Sequence, residues 1–325
     1  MTIDAHTHYI PKELAEYMME NSKAVNAEVE VKEGVYWIRK SGFYFPLTSQ
    51  FYNLEKRLSD MDISGIDRGV LSISPLMFFY DIDGRTALEI CRLCNDWVYG
   101  FAKQCPERLG SMAMVPMQNI DLAIQEMERT HKELGMNAVE IAPVINGDML
   151  DNEKYFPFYE YCEENGILIY LHPSQTDRSV PYDRYHAMNL IGYVQETNWA
   201  LTRMIFGGVF ERFPKLHILA SHGGGHFPYQ FGRLMHGYKV RDEAKEFISR
   251  PPTEYLQNLY FDTITHWTPA LQFLVDSFGA DHVMMGTDYP YDMADTTPVV
   301  SVDSLKITRE EREWIKSGNC IRLIH

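Results

Sequence analysis

The strongest constraint on the fold of this chain is a repeated pattern, in which a short apolar segment precedes a longer segment of helical periodicity. Buried parallel strands have nearly continuous apolar sequences, and strands that alternate with helices indicate βα units. Eight candidate strands occur, at 2–8, 67–74, 109–116, 138–143, 167–173, 217–222, 259–265 and 282–289. Helical patterns lie between most of them, at 54–61, 85–103, 120–133, 155–164, 202–213 and 268–278. The sequence therefore predicts an α/β fold, a (β/α)8 TIM barrel, as a single domain over residues 1–325.

A long segment interrupts this pattern between the first predicted strand and its helix. Residues 9–51 far exceed the usual connection of a few residues. The segments Glu28-Val29-Glu30-Val31 and Val35-Tyr36-Trp37-Ile38 flank Lys32-Glu33-Gly34, which predicts a β-hairpin. Because βα connections lie at the mouth of such a barrel, we expect this insertion over the active-site face, as a lid or as part of the substrate pocket. A surface decoration or a dimer contact is the alternative.

Charge and composition exclude several classes of function. The formal net charge of −15 argues against a nucleic-acid binder and against attachment to an anionic membrane. No segment approaches the ~18 apolar residues of a membrane span, and no secretory signal is visible. Five scattered cysteines are typical of reduced thiols, so we expect a cytoplasmic protein. Cys91 and Cys94 have the spacing of half a zinc site, but no second pair exists, and we expect both in the core.

Histidine and aspartate residues stand at the ends of three predicted strands. His6 and His8 are two residues apart, so both side chains project from the same face of the first strand. His172 ends the fifth strand and Asp288 ends the eighth. Each residue alone has an ordinary structural explanation, but the carboxyl ends of barrel strands meet at one mouth. Three neutral imidazoles and a carboxylate suit one divalent ion, zinc first and manganese as the alternative, and leave a position for water or substrate.

A further histidine follows the sixth predicted strand, in Ser221-His222-Gly223-Gly224-Gly225. The glycines allow a ligand to approach closely, and the pKa of an ordinary histidine suits a general acid or base. The same HGGG pattern occurs in the oxyanion loop of some esterases. Those enzymes need a GxSxG nucleophile motif, which this sequence lacks.

Together, HxH at 6–8, LHP at 171–173, SHGGG at 221–225 and GTDYP at 286–290 resemble the amidohydrolase-2 family of the amidohydrolase superfamily. Within it, the chain is similar to aminocarboxymuconate-semialdehyde decarboxylase and related non-oxidative decarboxylases. The resemblance implies that His6, His8, His172 and Asp288 are the metal ligands and that His222 is the acid–base residue. It also implies a homodimer and a substrate-binding role for Arg233. A solvated helix arginine is the alternative reading of Arg233.

Phe45 marks a departure from the resemblance. The decarboxylase named above carries a substrate-binding arginine directly before the proline that matches Pro46, and this chain has Phe45 there. Phenylalanine cannot grip a carboxylate as arginine does, so the substrate or its binding mode is expected to differ. Arg39 and Lys40 are nearby substitutes to consider.

The predicted fourth and seventh strands carry carboxylates. Binuclear relatives bridge two metals with a modified lysine on the fourth strand, where this chain has Glu140. Because an unpaired buried carboxylate is costly, we expect Glu140 to be hydrogen bonded or to contact substrate, with a second metal site as the alternative. Asp262, at the end of the seventh strand, is expected to orient a ligand histidine.

The resulting hypothesis is a metal-dependent, non-oxidative decarboxylase of a small unsaturated or aromatic carboxylic acid. The metal would stabilise negative charge while His222, and also Asp288, handle a proton. No GxGxxG fingerprint for a redox cofactor occurs. The alternatives are a metal-dependent hydrolase or hydratase of a lactone, amide or C=C substrate on the same site, and a non-catalytic barrel with a structural metal. An open coordination position argues against the last of these.

Overall fold

The computed structural model describes residues 1–40, 42–174, 182 and 184–324. Its strands are β1 (Ile3–Tyr9), β2 (Ala27–Lys32), β3 (Val35–Lys40), β4 (Phe43–Pro46), β5 (Arg68–Ile73), β6 (Leu109–Ser111), β7 (Ala113–Met114), β8 (Ala138–Ile141), β9 (Val144–Ile145), β10 (Asp148–Met149), β11 (Leu168–Leu171), β12 (Ile218–Ala220), β13 (Leu259–Asp262) and β14 (Val283–Met284). Its helices are α1 (Lys12–Glu20), α2 (Ser49–Tyr52), α3 (Leu54–Ser64), α4 (Gly84–Ala102), α5 (Ile120–Leu134), α6 (Phe156–Glu164), α7 (Val194–Phe206), α8 (Val209–Arg212), α9 (Phe227–Val240), α10 (Thr268–Phe278), α11 (Pro298–Asp303), α12 (Arg309–Glu313) and α13 (Asn319–Ile324).

The central strands are parallel and follow one another in chain order. One sheet has the order β1-β5-β6 and the other has the order β14-β13-β12-β11-β8-β7. β6 and β7 are consecutive parts of one chain segment, interrupted at Met112, whose N–H donates to the Leu71 carbonyl over 2.8 Å. At the other edge, the Ala5 N–H donates to the Met285 carbonyl over 2.9 Å. Each central strand therefore has a neighbour on both sides, and every predicted strand coincides with one of them.

Apolar side chains form an inner and an outer core. The inner core takes residues from the central strands other than β6 and β7, Met112 from the break between these two strands, and Cys320 and Ile324 from α13. The outer core lies between the strands and the surrounding helices and contains Cys91 and Cys94, both buried in α4 as predicted. Among the helices of the described residues, none combines the length and the apolar character needed to cross a lipid bilayer.

The segment between β1 and α3 contains a small antiparallel sheet. β2 pairs with β3 where the hairpin was predicted, with Glu30 opposite Trp37. β4, which the sequence did not predict, adds a third strand, and in it Phe45 lies opposite Ile38 of β3. The sheet is thus larger than the predicted hairpin by one strand.

The predicted helix at 202–213 is wrong in its bounds. The structure has α7 and α8 there, separated by Gly207 and Gly208. Gly208 adopts a left-handed φ of +75°, and a Cβ at this position would lie 2.6 Å from the carbonyl oxygen of Phe247. A left-handed glycine typically ends a helix. The two helices therefore cannot form one continuous element.

Candidate metal centre

Strand β1 carries His6 and His8 into the space enclosed by the central strands, and both side chains are completely buried. Ala5, directly before His6, also faces inward as part of the inner core. Neighbouring residues of a regular strand point to opposite faces, but the register of β1 against β5 shifts between Asp4 and Thr7. This bulge lets the strand place both its apolar residues and its histidines in the interior.

Five candidate side chains meet at the carboxyl ends of the strands. One atom from each of His6, His172, His222 and Asp288 lies within 4.8 Å of the others. His8 lies at the same place, with its Nε2 atom 3.0 Å from His6 Nε2 and 3.1 Å from Asp288 Oδ1. The predicted ligand set has His8 where this geometric set has His222. The structure thus brings every predicted ligand and the predicted acid–base residue together.

Hydrogen bonds made by Nδ1 of His6 and of His172 leave the Nε2 atom of each ring facing this centre. His6 Nδ1 donates to Asp262 Oδ2 over 2.7 Å, and His172 Nδ1 donates to the Pro173 carbonyl over 2.8 Å. Both rings therefore carry a proton on Nδ1, and Nε2 is the nitrogen available to a metal ion. His172 Nε2 is buried, has no hydrogen-bond partner among the described residues, and lies 3.9 Å from Asp288 Oδ1. A buried acceptor without a donor is costly, so this arrangement fits a bound cation.

The electrostatics of the cluster favour the same occupant. Burial lowers the pKa of His8 to about 4, and burial together with His6 lowers the pKa of His172 well below its usual range. Burial alone would raise the pKa of Asp288, but His6 and His222 outweigh it and hold this pKa well below its usual range. His6 differs from these two rings: against the effect of burial, Asp288 and Asp262 raise its pKa to about 10, so without an ion it is cationic beside neutral His8 and His172. A divalent ion would take the place of this charge, since neutral imidazoles beside an ionised carboxylate are the donor set that binds zinc and related divalent ions.

Asp262 fixes both a ring and a turn of this site. Besides His6 Nδ1, its carboxylate accepts from the backbone N–H groups of His222, over 2.9 Å, and of Gly223, over 2.8 Å. The predicted contact between Asp262 and a candidate ligand histidine is therefore confirmed. His222 and Asp288 both have left-handed φ values, of 55° and 64°. Non-glycine residues held in that region concentrate at functional sites.

The cluster borders two cavities. The first has a volume of about 500 Å³ and is lined by His172, His222 and Asp288 together with residues 43–46 of β4. The second, of about 760 Å³, shares His222 and Asp288 and extends to Trp267. Phe45, predicted at a substrate position, thus lines a cavity at the candidate centre.

The other predicted contacts lie elsewhere. Arg233 is exposed on α9 and lines neither cavity. Arg39 pairs with Glu28 over 3.2 Å, and the buried Lys40 pairs with Asp81 over 3.1 Å. Neither Arg39 nor Lys40 lines these cavities, so neither takes the place of an arginine at position 45.

Glu140 is buried in β8, behind His8 as seen from the cavities. Its Oε1 atom lies 3.9 Å from His8 Nδ1, and the carboxylate lines neither cavity. Burial raises the pKa of Glu140 well above its usual range, although His6 and Ser72 act in the opposite direction. Among the described residues neither oxygen has a hydrogen bond of regular geometry, although the Ser72 hydroxyl is close enough to lower the pKa of this carboxyl. A hydrogen-bonded or substrate-contacting Glu140 stays a prediction.

Sequence reasoning missed two residues that contact His8. Ser72 Oγ lies 3.1 Å from His8 Nδ1, and the Tyr291 ring centroid lies 5.3 Å from that of His8. The Tyr291 hydroxyl forms a hydrogen bond with Ser74. Ser72 and Tyr291 lie near the carboxyl ends of the second and eighth predicted strands, and this position was the feature of the sequence that could have indicated them. A serine or a tyrosine at such a position does not by itself indicate a functional residue.

The chain is similar in sequence to known decarboxylases over most of its length. The sequence is 30% identical over 328 residues to 2-amino-3-carboxymuconate-6-semialdehyde decarboxylase from Dictyostelium discoideum, covering 100% of this chain and 91% of that protein. It is 29% identical over 291 residues to gamma-resorcylate decarboxylase from Polaromonas sp., covering 83% of this chain and 86% of that protein.

Solved structures share the fold over the whole chain. The 5-carboxyvanillate decarboxylase from Sphingomonas paucimobilis has a TM-score of 0.84 at 23% identity, covering 99% of this chain and 98% of that one. The dihydroxybenzoic acid decarboxylase from Polaromonas sp., with bound manganese and the inhibitor 2-nitroresorcinol, has a TM-score of 0.76 at 23% identity, covering 99% and 96%. The sequence also matches the family Amidohydro_2, Amidohydrolase, over residues 3–325. The chain therefore belongs to the Amidohydro_2 family of amidohydrolases.

Proposed function

We propose that this protein catalyses the metal-dependent, non-oxidative decarboxylation of a small unsaturated or aromatic carboxylic acid. The observation that carries the proposal is the convergence of His6, His8, His172, His222 and Asp288 at a cavity of about 500 Å³. Relatives that match across most of this chain are decarboxylases by name, which supports the same reaction class.

His6, His8, His172 and Asp288 would hold one divalent ion, zinc or manganese. His8 Nε2 lies 3.1 Å from Asp288 Oδ1, whereas His222 Nε2 lies 3.6 Å from Asp288 Oδ2. His222 lines both cavities, which suits a residue that reaches substrate. When bound, the ion would supply Lewis-acid stabilisation of the negative charge that develops on the substrate.

The protein's own residues would manage the proton that decarboxylation requires. As the bond between the substrate carbon and its carboxylate breaks, CO2 leaves and a proton must replace it on the carbon. His222 lines the cavity and is the proposed donor, with Asp288 as a second candidate. Asp262 holds the backbone N–H of His222 over 2.9 Å and would thereby keep the ring at the cavity.

Two of the predicted substrate residues need revised roles. Because Arg233 is exposed and lines neither cavity of its own chain, a contact with substrate would require the active site of a second copy. Glu140 is proposed to act from behind His8 rather than on substrate directly, at its distance of 3.9 Å. Phe45 keeps its proposed place against the substrate.

The proposal also includes the finer structural predictions. The hydrogen bond between Ala5 and Met285 supports a closed (β/α)8 TIM barrel as one domain over 1–325, and the place of β4 at the cavity supports an insertion at 9–51 over the active-site face. Exposed Tyr229 and Trp267 beside the second cavity support a homodimer, since clustered exposed aromatics are typical of interfaces. A cytoplasmic location follows from the cysteine usage alone.

Elemental analysis combined with CO2 release tests the proposed function. We expect about one divalent ion per chain in the native protein and loss of that ion in His172→Ala and Asp288→Ala. His222→Ala should keep the ion and lose turnover of any acid that the native enzyme decarboxylates. Loss of the ion in His222→Ala would instead make His222 a ligand. A metal-loaded protein that hydrates or hydrolyses its substrates without CO2 release would replace decarboxylation with the alternative chemistry.

A further inference from the structure

Arg57 is a buried arginine on α3, outside the central strands, and its side chain reaches the strand that carries His6 and His8. Only 1% of this residue is exposed. Its Nη1 atom donates to Thr7 Oγ1 over 2.9 Å, and its Nη2 atom donates to the His8 carbonyl. The planar fork of a guanidinium holds such donors in a fixed relative geometry. Arg57 therefore fixes the backbone of β1 at a residue that is a candidate metal ligand.

The same contacts extend to the chain segment that carries Asp288. Thr7 Oγ1 donates to the Tyr289 carbonyl over 3.3 Å, and the His8 N–H donates to that carbonyl over 2.8 Å. The Arg57 guanidinium also lies over the Tyr289 ring, 4.9 Å from the ring centroid. One side chain of α3 thus contacts both β1 and the segment after β14, and each of these supplies candidate ligands.

A second residue of α3 holds Tyr289 from the same side. The Tyr289 hydroxyl donates to Asp60 Oδ2 over 2.7 Å, so α3 contacts this side chain through both Arg57 and Asp60. Asp288, directly before Tyr289, has a left-handed φ of 64°. A non-glycine residue stays in that conformation only where its surroundings hold it there. The contacts of Tyr289 with α3 supply part of this restraint.

Packing alone does not explain a charged residue at this position. Burial lowers the pKa of Arg57 to about 10, so the guanidinium is still cationic at neutral pH. Its hydrogen bonds within the described part of the chain go to a hydroxyl and to backbone carbonyls, none of which is charged. An apolar side chain of similar volume would fill this space at a lower electrostatic cost. What arginine adds is the direction of its donors.

We propose that Arg57 is a positioning residue of the metal centre, which sets β1 against Tyr289 and thereby sets the distance between His8 and Asp288. His8 Nε2 and Asp288 Oδ1 lie 3.1 Å apart. Two donors of a tetrahedral zinc site, each about 2.0–2.1 Å from the ion, lie about 3.3 Å apart. The inference rests on the proposed function, because it takes both residues as ligands of one ion.

The Zn2+ affinity of the full-length protein, measured by competition with a chromogenic chelator, tests this inference without relying on turnover. Arg57→Met replaces the fork with an apolar side chain and should weaken Zn2+ binding by at least about tenfold. Arg57→Lys keeps the charge, but a single ammonium group cannot donate to Thr7 and to His8 in the geometry of the fork. This variant should weaken Zn2+ binding by a similar factor.

Arg108→Met is the matched control. Arg108 also contacts α3, through Asp62, and donates to the backbone carbonyls of Ile66 and Asp67, at the amino end of β5. The control should lower the Tm of the metal-free protein and leave the Zn2+ affinity unchanged. A positioning role also reduces the rise in Tm that Zn2+ produces, whereas a structural role lowers Tm equally with and without Zn2+. The visible absorption of bound Co2+, which reports ligand geometry, should change in both Arg57 variants and not in the control.

Native Zn2+ affinity in Arg57→Lys would overturn the inference, even where Arg57→Met does not fold. Equal losses of affinity in Arg57→Met and Arg108→Met would overturn it as well. The failure of the proposed function has a different signature. If the native protein binds no Zn2+, the metal site is wrong and the role of Arg57 falls with it. If both Arg57 variants lose affinity but the native protein releases CO2 from no carboxylic acid in a panel, the reaction is wrong while the role of Arg57 stands.

Discussion

Replacing Asp262 with asparagine should weaken metal binding, although Asp262 is not itself a candidate metal ligand. The Asp262 carboxylate accepts four hydrogen bonds, from the His6 ring and from the backbone N–H groups of His222, Gly223 and Ile264. In asparagine an NH2 group replaces one of the two carboxylate oxygens, so this NH2 must face two of the four donors. If it faces the His6 ring, His6 Nδ1 must accept a hydrogen bond instead of donating one. The ring proton of His6 then moves to Nε2, where the ion would bind.

The magnitude follows from the loss of this orientation. Removing a carboxylate that holds a ligand histidine typically costs about 10–100-fold in metal affinity, which corresponds to about 1.4–2.7 kcal/mol. If the amide turns the other way, its NH2 faces two backbone donors, and the protein loses about 1–3 kcal/mol of stability for each acceptor removed. With metal in excess, the stabilisation by metal falls by the same amount as the binding free energy. For a chain of this length the metal-induced rise in Tm should shrink by about 2–4 °C.

Competition with a chromogenic chelator measures the affinity, and thermal unfolding with and without metal measures the stabilisation. Asp4→Asn is the control: Asp4 is buried and accepts from the backbone N–H groups of His6 and Thr287, but it contacts no ring nitrogen of a candidate ligand. This variant should lose stability and keep its metal affinity. Native-like affinity in Asp262→Asn would refute the idea that Asp262 sets the tautomer of His6.

Three further outcomes are expected. Burial, with help from Arg322, lowers the pKa of His217 to about 4. The stability contributed by the neutral imidazole of His217 is therefore present above pH 6.5 and is lost as the pH falls towards 4. Between pH 7 and 4.5, the free energy of urea unfolding should fall by about 2–3 kcal/mol more in the native protein than in His217→Phe. Gly225→Ala should lower the free energy of unfolding by about 2–6 kcal/mol, because φ is +63° and the new Cβ would lie 2.2 Å from the Val194 carbonyl oxygen; Gly232→Ala, with open space around it, should be close to neutral. In the native state a thiol reagent should modify Cys105 first, since the other four cysteines are buried; rapid reaction of Cys91 or Cys94 would show that α4 opens readily.

The positions of the metal residues could be predicted because strand geometry is simple. Side chains alternate along a strand, and parallel strands bring their carboxyl ends to one edge, so His6, His8, His172 and Asp288 were expected to meet. The contact between Asp262 and His6 followed from the same reasoning. A regular pattern of apolar strands was sufficient for these predictions, without knowledge of any loop.

Other features depend on tertiary contacts that no local pattern reveals. The bulge in β1 follows from how β1 pairs with β5, and the end of α7 follows from the approach of Phe247 to Gly208. Strand β4 is short and lies in an aromatic sequence with no alternation, so only its pairing with β3 defines it. The surroundings of Glu140, with His8 of β1 and Ser72 of β5 beside its carboxylate, also could not be foreseen, because both residues come from other strands.

The candidate metal ligands and the cavity residues of β4 come from different parts of the fold. The candidate metal ligands lie on the central strands or shortly after them, whereas Phe43 and Phe45, which line the cavity of about 500 Å³, lie on β4, outside the central sheets. A substitution at position 45 therefore changes the charge of the cavity without displacing a ligand or altering the β1–β5 register. The metal motifs can stay constant while the preferred acid changes, which is why these motifs predict the reaction class far better than the substrate. We therefore expect the substrate preference of this chain to depend on the residues of β4, and on Phe45 first.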